Sequence, residues 1–320
     1  MKGRLYHICF TSHSEVLCRQ HLDYITLINS LLQAAINTGN LLIAFVIMSS
    51  HVHIAVITSN PGILVQRIRS SYTQQFNDRY FRKGRMGDKY YFKLAMEGRL
   101  HITAAFSYIM RNPVHHRVCA NPFAYPYSTI HMYFNSQKSP QFLSDKGIAE
   151  ARMKDTIRKK NILPAGIQFD LSGMIDLSSV VNTEIFEGYF GSYRAFHYGL
   201  SRNDYDNWQN EQIKELSEKP PVTLSSIEPH LPVGKIKEMM AHNTAWLREV
   251  RMTDMELCEM IDGKYISDFH RRSYAELTDS EKIAVAQHIL ENKFVPITQL
   301  ARCLSVRPEV LSGAVKRMKQ

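Results

Sequence analysis

The chain has 320 residues, 44% of them hydrophobic and 22% charged, with a formal net charge of +9. Those figures describe a globular protein with core enough for two or three domains and exclude a disordered or low-complexity chain. The longest apolar run, residues 41–48, falls far short of the roughly 20 residues a membrane helix needs. No secretory signal is evident at the N-terminus. Five scattered cysteines with no C-x-x-C pair argue against a disulfide framework or a structural zinc site, so a reducing cytoplasm is the expected compartment.

In chain order, residues 4–11 read as a strand and residues 20–37 as a helix striped by Leu27, Leu31, Ala34 and Ala35, stopped at Gly39. Two apolar runs, 41–48 and 51–57, follow as strands joined tightly through Ser49-Ser50. Asn60-Pro61 opens a second helix carrying Leu64, Ile68, Tyr72 and Phe76, broken by Gly84 and Gly87. Residues 89–96 read as a strand and 100–111 as a helix, which Pro113 is expected to end near Asn112. The order βαββαβα predicts an α+β layer, an antiparallel sheet with helices on one face.

A linker is expected around residues 136–140. The middle region to about 270 is mostly helical, near 183–200, 233–249 and 253–262, with a small hairpin around Gly173. No catalytic constellation shows in it. Thr278-Asp279-Ser280-Glu281 matches a capping box for a helix ending near Asn292. Residues 297–304 and the segment after Arg307-Pro308 are then spaced as a helix-turn-helix, with Arg307, Lys316 and Arg317 facing duplex DNA. The alternative for those helices is a three-helix bundle used for protein contacts. The expected divisions are 1–135, 136–270 and 271–320.

The excess of positive charge points to a polyanionic partner. Its densest stretch holds Arg67, Arg69, Arg79, Arg82, Lys83, Arg85, Lys89 and Lys93, interleaved with aromatic residues such as Tyr80 and Tyr90. Cationic groups neutralise phosphates and aromatic faces stack on unpaired bases. The competing reading is a solvated helix face beside core aromatics.

His51-Val52-His53 is the run with the most chemistry in it. On a strand, residues i and i+2 share a face, so the two imidazoles project side by side and can share a divalent cation. Some fifty residues on, Tyr108 and Asn112 stand four apart, one above the other on a helix.

Met48-Ser49-Ser50-His51-Val52-His53, followed by Tyr108-Ile109-Met110-Arg111-Asn112-Pro113-Val114 and by Asn121-Pro122-Phe123-Ala124-Tyr125-Pro126, resembles the single-tyrosine HUH transposases, the REP-associated tyrosine transposases in particular. The resemblance covers about residues 4–135. It implies a ferredoxin-like catalytic domain with the histidines on a central strand. It also implies Mg²⁺ or Mn²⁺ held by His51 and His53, and Tyr108 as the nucleophile toward single-stranded or hairpin DNA. Asn112 stands where many insertion-sequence relatives carry a glutamine as third metal ligand, and its amide is shorter. Ser49-Ser50 replaces the usual Pro-Asn. A metal would neutralise a phosphate oxygen, and attack by tyrosine would leave a 5′-phosphotyrosine and a free 3′-hydroxyl. The expected activity is therefore metal-dependent nicking and strand transfer by a monomer or homodimer, away from membranes. A DNA-binding regulator with an inactive catalytic domain is the second reading. A replication or conjugative nickase is the third, though paired tyrosines and helicase-like segments are missing.

Overall fold

A computed structural model describes residues 3–137, 155–157, 163–164, 166–201, 252–293 and 295–318, with side chains to residue 314. The elements of the first third follow the expected order: β1 (Arg4–Thr11), α1 (His21–Asn37), β2 (Leu41–Ile47), β3 (His51–Thr58), α2 (Pro61–Tyr80), β4 (Phe92–Ala95) and α3 (Arg99–His115). The four strands form one antiparallel sheet in the order β2-β3-β1-β4. This α+β connectivity is that of a ferredoxin-like split βαβ sheet.

Local chemistry explains the boundaries. Gln20 and Asp23 form a capping box at the start of α1. The Asn60 side chain accepts the Ile63 amide, and Pro61 begins α2 where no intrahelical amide is needed. Between β2 and β3 the turn at Ser49-Ser50 closes with Met48 N–H donating to His51 O at 2.8 Å. β4 is shorter than the expected 89–96 because pairing with β1 spans only Tyr6 to Cys9.

The register separates two faces. Val52, Ile54, Phe10 and Ile8 share one, since each pairs with its neighbour across β1 and β3. α1 and α2 cover it: they pack on each other, and Arg69 of α2 lies over the Phe10 ring at 5.0 Å. His51, His53, Cys9 and His7 share the opposite face, and α3 covers that one. The expectation of helices on one face is corrected accordingly. α3 carries Ile102, Phe106 and Met110, which need burial as much as the stripes of α1 and α2 do.

α3 also runs past its expected end, through Pro113 to His115. Proline removes one amide, but His116 N–H still reaches Asn112 O and Val118 N–H reaches Pro113 O, at 3.0 and 2.9 Å. Beyond it, the helical stretch at 183–200 is two helices, α4 (Thr183–Phe190) and α5 (Tyr193–Ser201), separated at Gly191, whose φ of 77° few other residues would adopt. The hairpin around Gly173 is present as a Phe169–Ile175 bridge. The helix expected at 233–249, and residues 138–140 of the linker, lie outside the described residues.

The C-terminal part contains α6 (Asp254–Met260), α7 (Asp279–Asn292), α8 (Ile297–Leu304) and α9 (Pro308–Met318), with the Thr278–Glu281 capping box formed as expected. These helices dock on the sheet domain through Arg19, which is fully buried. Its guanidinium donates to Asp262 at 2.7 and 2.9 Å and to Cys303 O at 2.6 Å, and lies 3.6 Å from the centre of the Tyr274 ring. Asp254 makes a second tie, accepting from Ser49 at 2.7 Å and from Arg302 at 2.8 Å. Among the described residues no helix is long and apolar enough to cross a membrane, and no two cysteines are joined in a disulfide.

Candidate active site

β3 is a central strand, and it holds His51 and His53 with their ring centres 5.2 Å apart and nearly perpendicular. α3 lays Tyr108 and Asn112 directly over them. His51 Nε2 lies 2.7 Å from Asn112 Oδ1. The Tyr108 ring stands edge-on to His53, with centres 5.5 Å apart. Four residues picked from two distant runs of the sequence thus meet across one strand–helix contact.

All four are buried, Tyr108 with 5% of its surface exposed and Asn112 with none. The Asn112 Nδ2 has no hydrogen-bond partner among the described residues. A buried amide donor left in that state costs free energy unless a ligand supplies the acceptor.

Residues the sequence did not single out complete the site. His7 and Cys9 of β1 lie on the same face: His7 Nε2 is 3.0 Å from His53 Nδ1, and Cys9 Sγ is 4.0 Å from His53 Nε2. His115 packs against Tyr108 and His116 against His51, with ring centres 5.2 and 4.5 Å apart. The alternation of His7 and Cys9 on a strand was the available signal, but it means nothing until the β1–β3 register is known. Beside the site, burial pushes the Arg111 guanidinium down to about 10. Among the described residues no group of three or more His, Cys, Asp or Glu side chains is placed to hold a metal ion.

The His51 end of the site opens into a cleft of about 500 Å³ between the sheet domain and the C-terminal helices. His51, His116 and Arg117 form one wall, and Thr298, Gln299 and Arg302 of α8 the other.

The basic stretch divides. Arg79 is held by Asp23 and donates to Thr26, and Arg82 makes a paired contact with Glu15 at 2.6 and 2.9 Å. Those two guanidinium groups serve internal ion pairs, where the sequence reading had them facing DNA. Arg69 donates to the carbonyls of Lys89 and Tyr90. With Lys83, Arg85 and Lys89 it lines a groove of about 780 Å³ on the α2 side, so the sheet separates this groove from Tyr108. Arg67 lines a neighbouring hollow between α1 and α2, and Lys93 is exposed on the edge strand. Arg307 is exposed before α9, whereas the side chains of Lys316 and Arg317 lie outside the described residues.

Fold and site together define an α+β domain with a ferredoxin-like sheet, one face of which carries a buried imidazole, amide and phenol cluster. No protein-family model matches the chain, and no curated protein does. A solved structure that does match is that of a REP-associated tyrosine transposase bound to a REP hairpin. It is 16% identical, with a TM-score of 0.36, over 41% of this chain and 79% of that one. A likeness so partial decides neither the fold nor the activity of this chain.

Proposed function

We infer that the protein is a metal-dependent single-strand DNA nickase and strand transferase with Tyr108 as nucleophile. The observation that carries this reading is the meeting of Tyr108 and Asn112 with His51 and His53 over one sheet face. Nothing in core packing calls for two imidazoles, an amide and a phenol there, since apolar side chains would fill the space without needing partners.

The donor set suits a divalent cation. The His51 and His53 ring centres stand 5.2 Å apart, near enough for both rings to reach one ion. The lone pairs of His51 Nε2 and Asn112 Oδ1, 2.7 Å apart, repel unless a proton or a cation sits between them. Nitrogen ligands favour Mn²⁺ over Mg²⁺, which prefers oxygen. When bound, the ion would supply positive charge to a phosphate oxygen and lower the barrier to attack.

The chain's own residues do the rest. Tyr108 Oη forms the new bond to phosphorus as the bond to the 3′-oxygen breaks. The phenol gives up its proton and the 3′-oxygen gains one, leaving a 5′-phosphotyrosine. Asn112 Nδ2 is a donor available to a phosphate oxygen. The strand approaches through the cleft beside His51, a passage fit for an unpaired strand. Arg67, Lys83, Arg85 and Lys89 on the α2 side, and Arg307 ahead of α9, give secondary contacts to phosphates of hairpin or flanking duplex DNA.

Incubation of the protein with Mn²⁺ and end-labelled hairpin-bearing single-stranded DNA tests this reading. A covalent protein–DNA band on a denaturing gel is expected, and it should vanish with EDTA and in Tyr108→Phe. A second reading, a DNA-binding regulator, draws support from the burial of Tyr108. It predicts hairpin binding with no covalent band from the unaltered protein.

A further inference from the structure

We propose that His7 is a positioning residue that selects the tautomer of His53 and fixes its ring. The inference rests on the metal site proposed above and concerns a residue outside it. His7 and His53 are both fully buried on adjacent strands, their rings stacked with centres 5.1 Å apart and 29° between planes. His7 Nε2 lies 3.0 Å from His53 Nδ1. Phe92 and Tyr108 each meet the His7 ring edge-on, at 6.0 and 6.4 Å, and so hold its plane.

Two ring nitrogens at hydrogen-bond distance share one proton: one donates it and the other accepts. If His7 were the donor, neutral His53 would carry its own proton on Nε2 and have no lone pair left for an ion. If His53 donates from Nδ1, its Nε2 carries the lone pair a ligand needs, with the Cys9 thiol 4.0 Å away, and His7 carries its proton on Nδ1. Only the second arrangement suits a ligating His53. Metal-bound histidines as a rule give their other N–H to a fixed acceptor, which sets the tautomer and ring orientation. A carboxylate or carbonyl is the common choice. Here a second imidazole takes that place, and it adds no negative charge to a site meant for a phosphodiester.

The first measurement needs neither metal nor variant. Nitrogen-15 NMR of the metal-free full chain at a pH where both rings are neutral should find His53 protonated on Nδ1 and His7 on Nδ1. A His53 proton on Nε2 overturns the proposal. The second is Mn²⁺ affinity by electron paramagnetic resonance, without DNA. His7→Phe keeps a ring in the stack but removes the acceptor, and should weaken Mn²⁺ binding about 10- to 100-fold. His7→Gln offers an amide oxygen at similar reach and should recover most of that loss, with melting curves confirming that both variants fold. Unchanged affinity in a folded His7→Phe overturns the proposal. Absence of Mn²⁺ binding by the unaltered protein would instead sink the metal site, while the NMR result still decides the role of His7.

Discussion

The two faces of the sheet are built from the same strands by opposite rules. Under α1 and α2, Ile8, Phe10, Val52 and Ile54 make a dry apolar layer. Under α3 the same strands present His7, Cys9, His51 and His53, whose nitrogens are engaged with one another and with Asn112. Alternation along a strand lets adjacent residues serve stability and chemistry without conflict. The comparison also explains the fate of the basic stretch: it belongs to the stabilising side, where part of its charge is used in ion pairs with Asp23 and Glu15.

The largest effect expected is a double dissociation between neighbouring positions. His51→Ala should reduce Mn²⁺-dependent cleavage to background while costing only about 1–3 kcal/mol of unfolding free energy, the penalty of leaving Asn112 Oδ1 without its partner. Ile54→Ala should do the reverse, costing about 2–5 kcal/mol in urea unfolding and leaving the folded fraction able to cut. If both substitutions act chiefly on stability, the division of labour between the faces fails.

Next in size is Arg19→Leu. It strips the partners from Asp262 and Cys303 O at a buried junction and should cost about 2–4 kcal/mol, read as a lower denaturation midpoint for the C-terminal helices. Because those helices wall the cleft beside His51, DNA affinity should fall with it. A fragment ending near residue 270 would keep Asp262 but lose the Cys303 carbonyl and the Tyr274 ring from that junction, so the sheet domain and C-terminal helices are less separable than their distance along the chain implies.

Smaller still is the combined Arg67→Ala, Lys83→Ala and Arg85→Ala variant. It should weaken DNA binding several-fold and lower the salt dependence by about two phosphate contacts, or a slope change of about 1.4 on single strands. An unaltered salt slope would remove the α2 groove from the DNA interface. The smallest effect is expected at Thr298, in the first turn of α8. Thr298→Glu should slightly stabilise that helix, because an anion suits its N-terminus, and Thr298→Lys slightly destabilise it. DNA affinity should move oppositely, by a few-fold, if the strand uses the cleft. Affinity that simply follows stability would argue against that path.

Much of the fold was legible because it is written in local chemistry. The ends of β1 and α1, the Ser49-Ser50 turn, the Asn60 cap and the Thr278 capping box all follow from neighbouring residues. The pairing of His51 and His53 followed from strand periodicity, and that of Tyr108 with Asn112 from helical spacing. What was not legible depends on register and on partners far along the chain. His7 faces His53 only because β1 and β3 pair with Cys9 opposite His53. Arg79 and Arg82 look like surface cations until Asp23 and Glu15 are seen beside them, and Arg19 carries no sign in the sequence that it will meet Asp262. Pro113 misled in a different way: the rule that proline ends a helix gives way where later amides and the packing of α3 sustain the last turn.

The central claim is that the imidazole face and the α3 phenol form one nucleophilic site. Its most direct test is mass spectrometry of the protein after reaction with Mn²⁺ and a hairpin-bearing oligonucleotide, following protease and nuclease digestion. A nucleotide-phosphate mass attached to Tyr108, within the peptide running from Leu100 to Arg111, is the predicted result. A nucleotide on any other tyrosine, or none on a preparation that binds both Mn²⁺ and DNA, would contradict it.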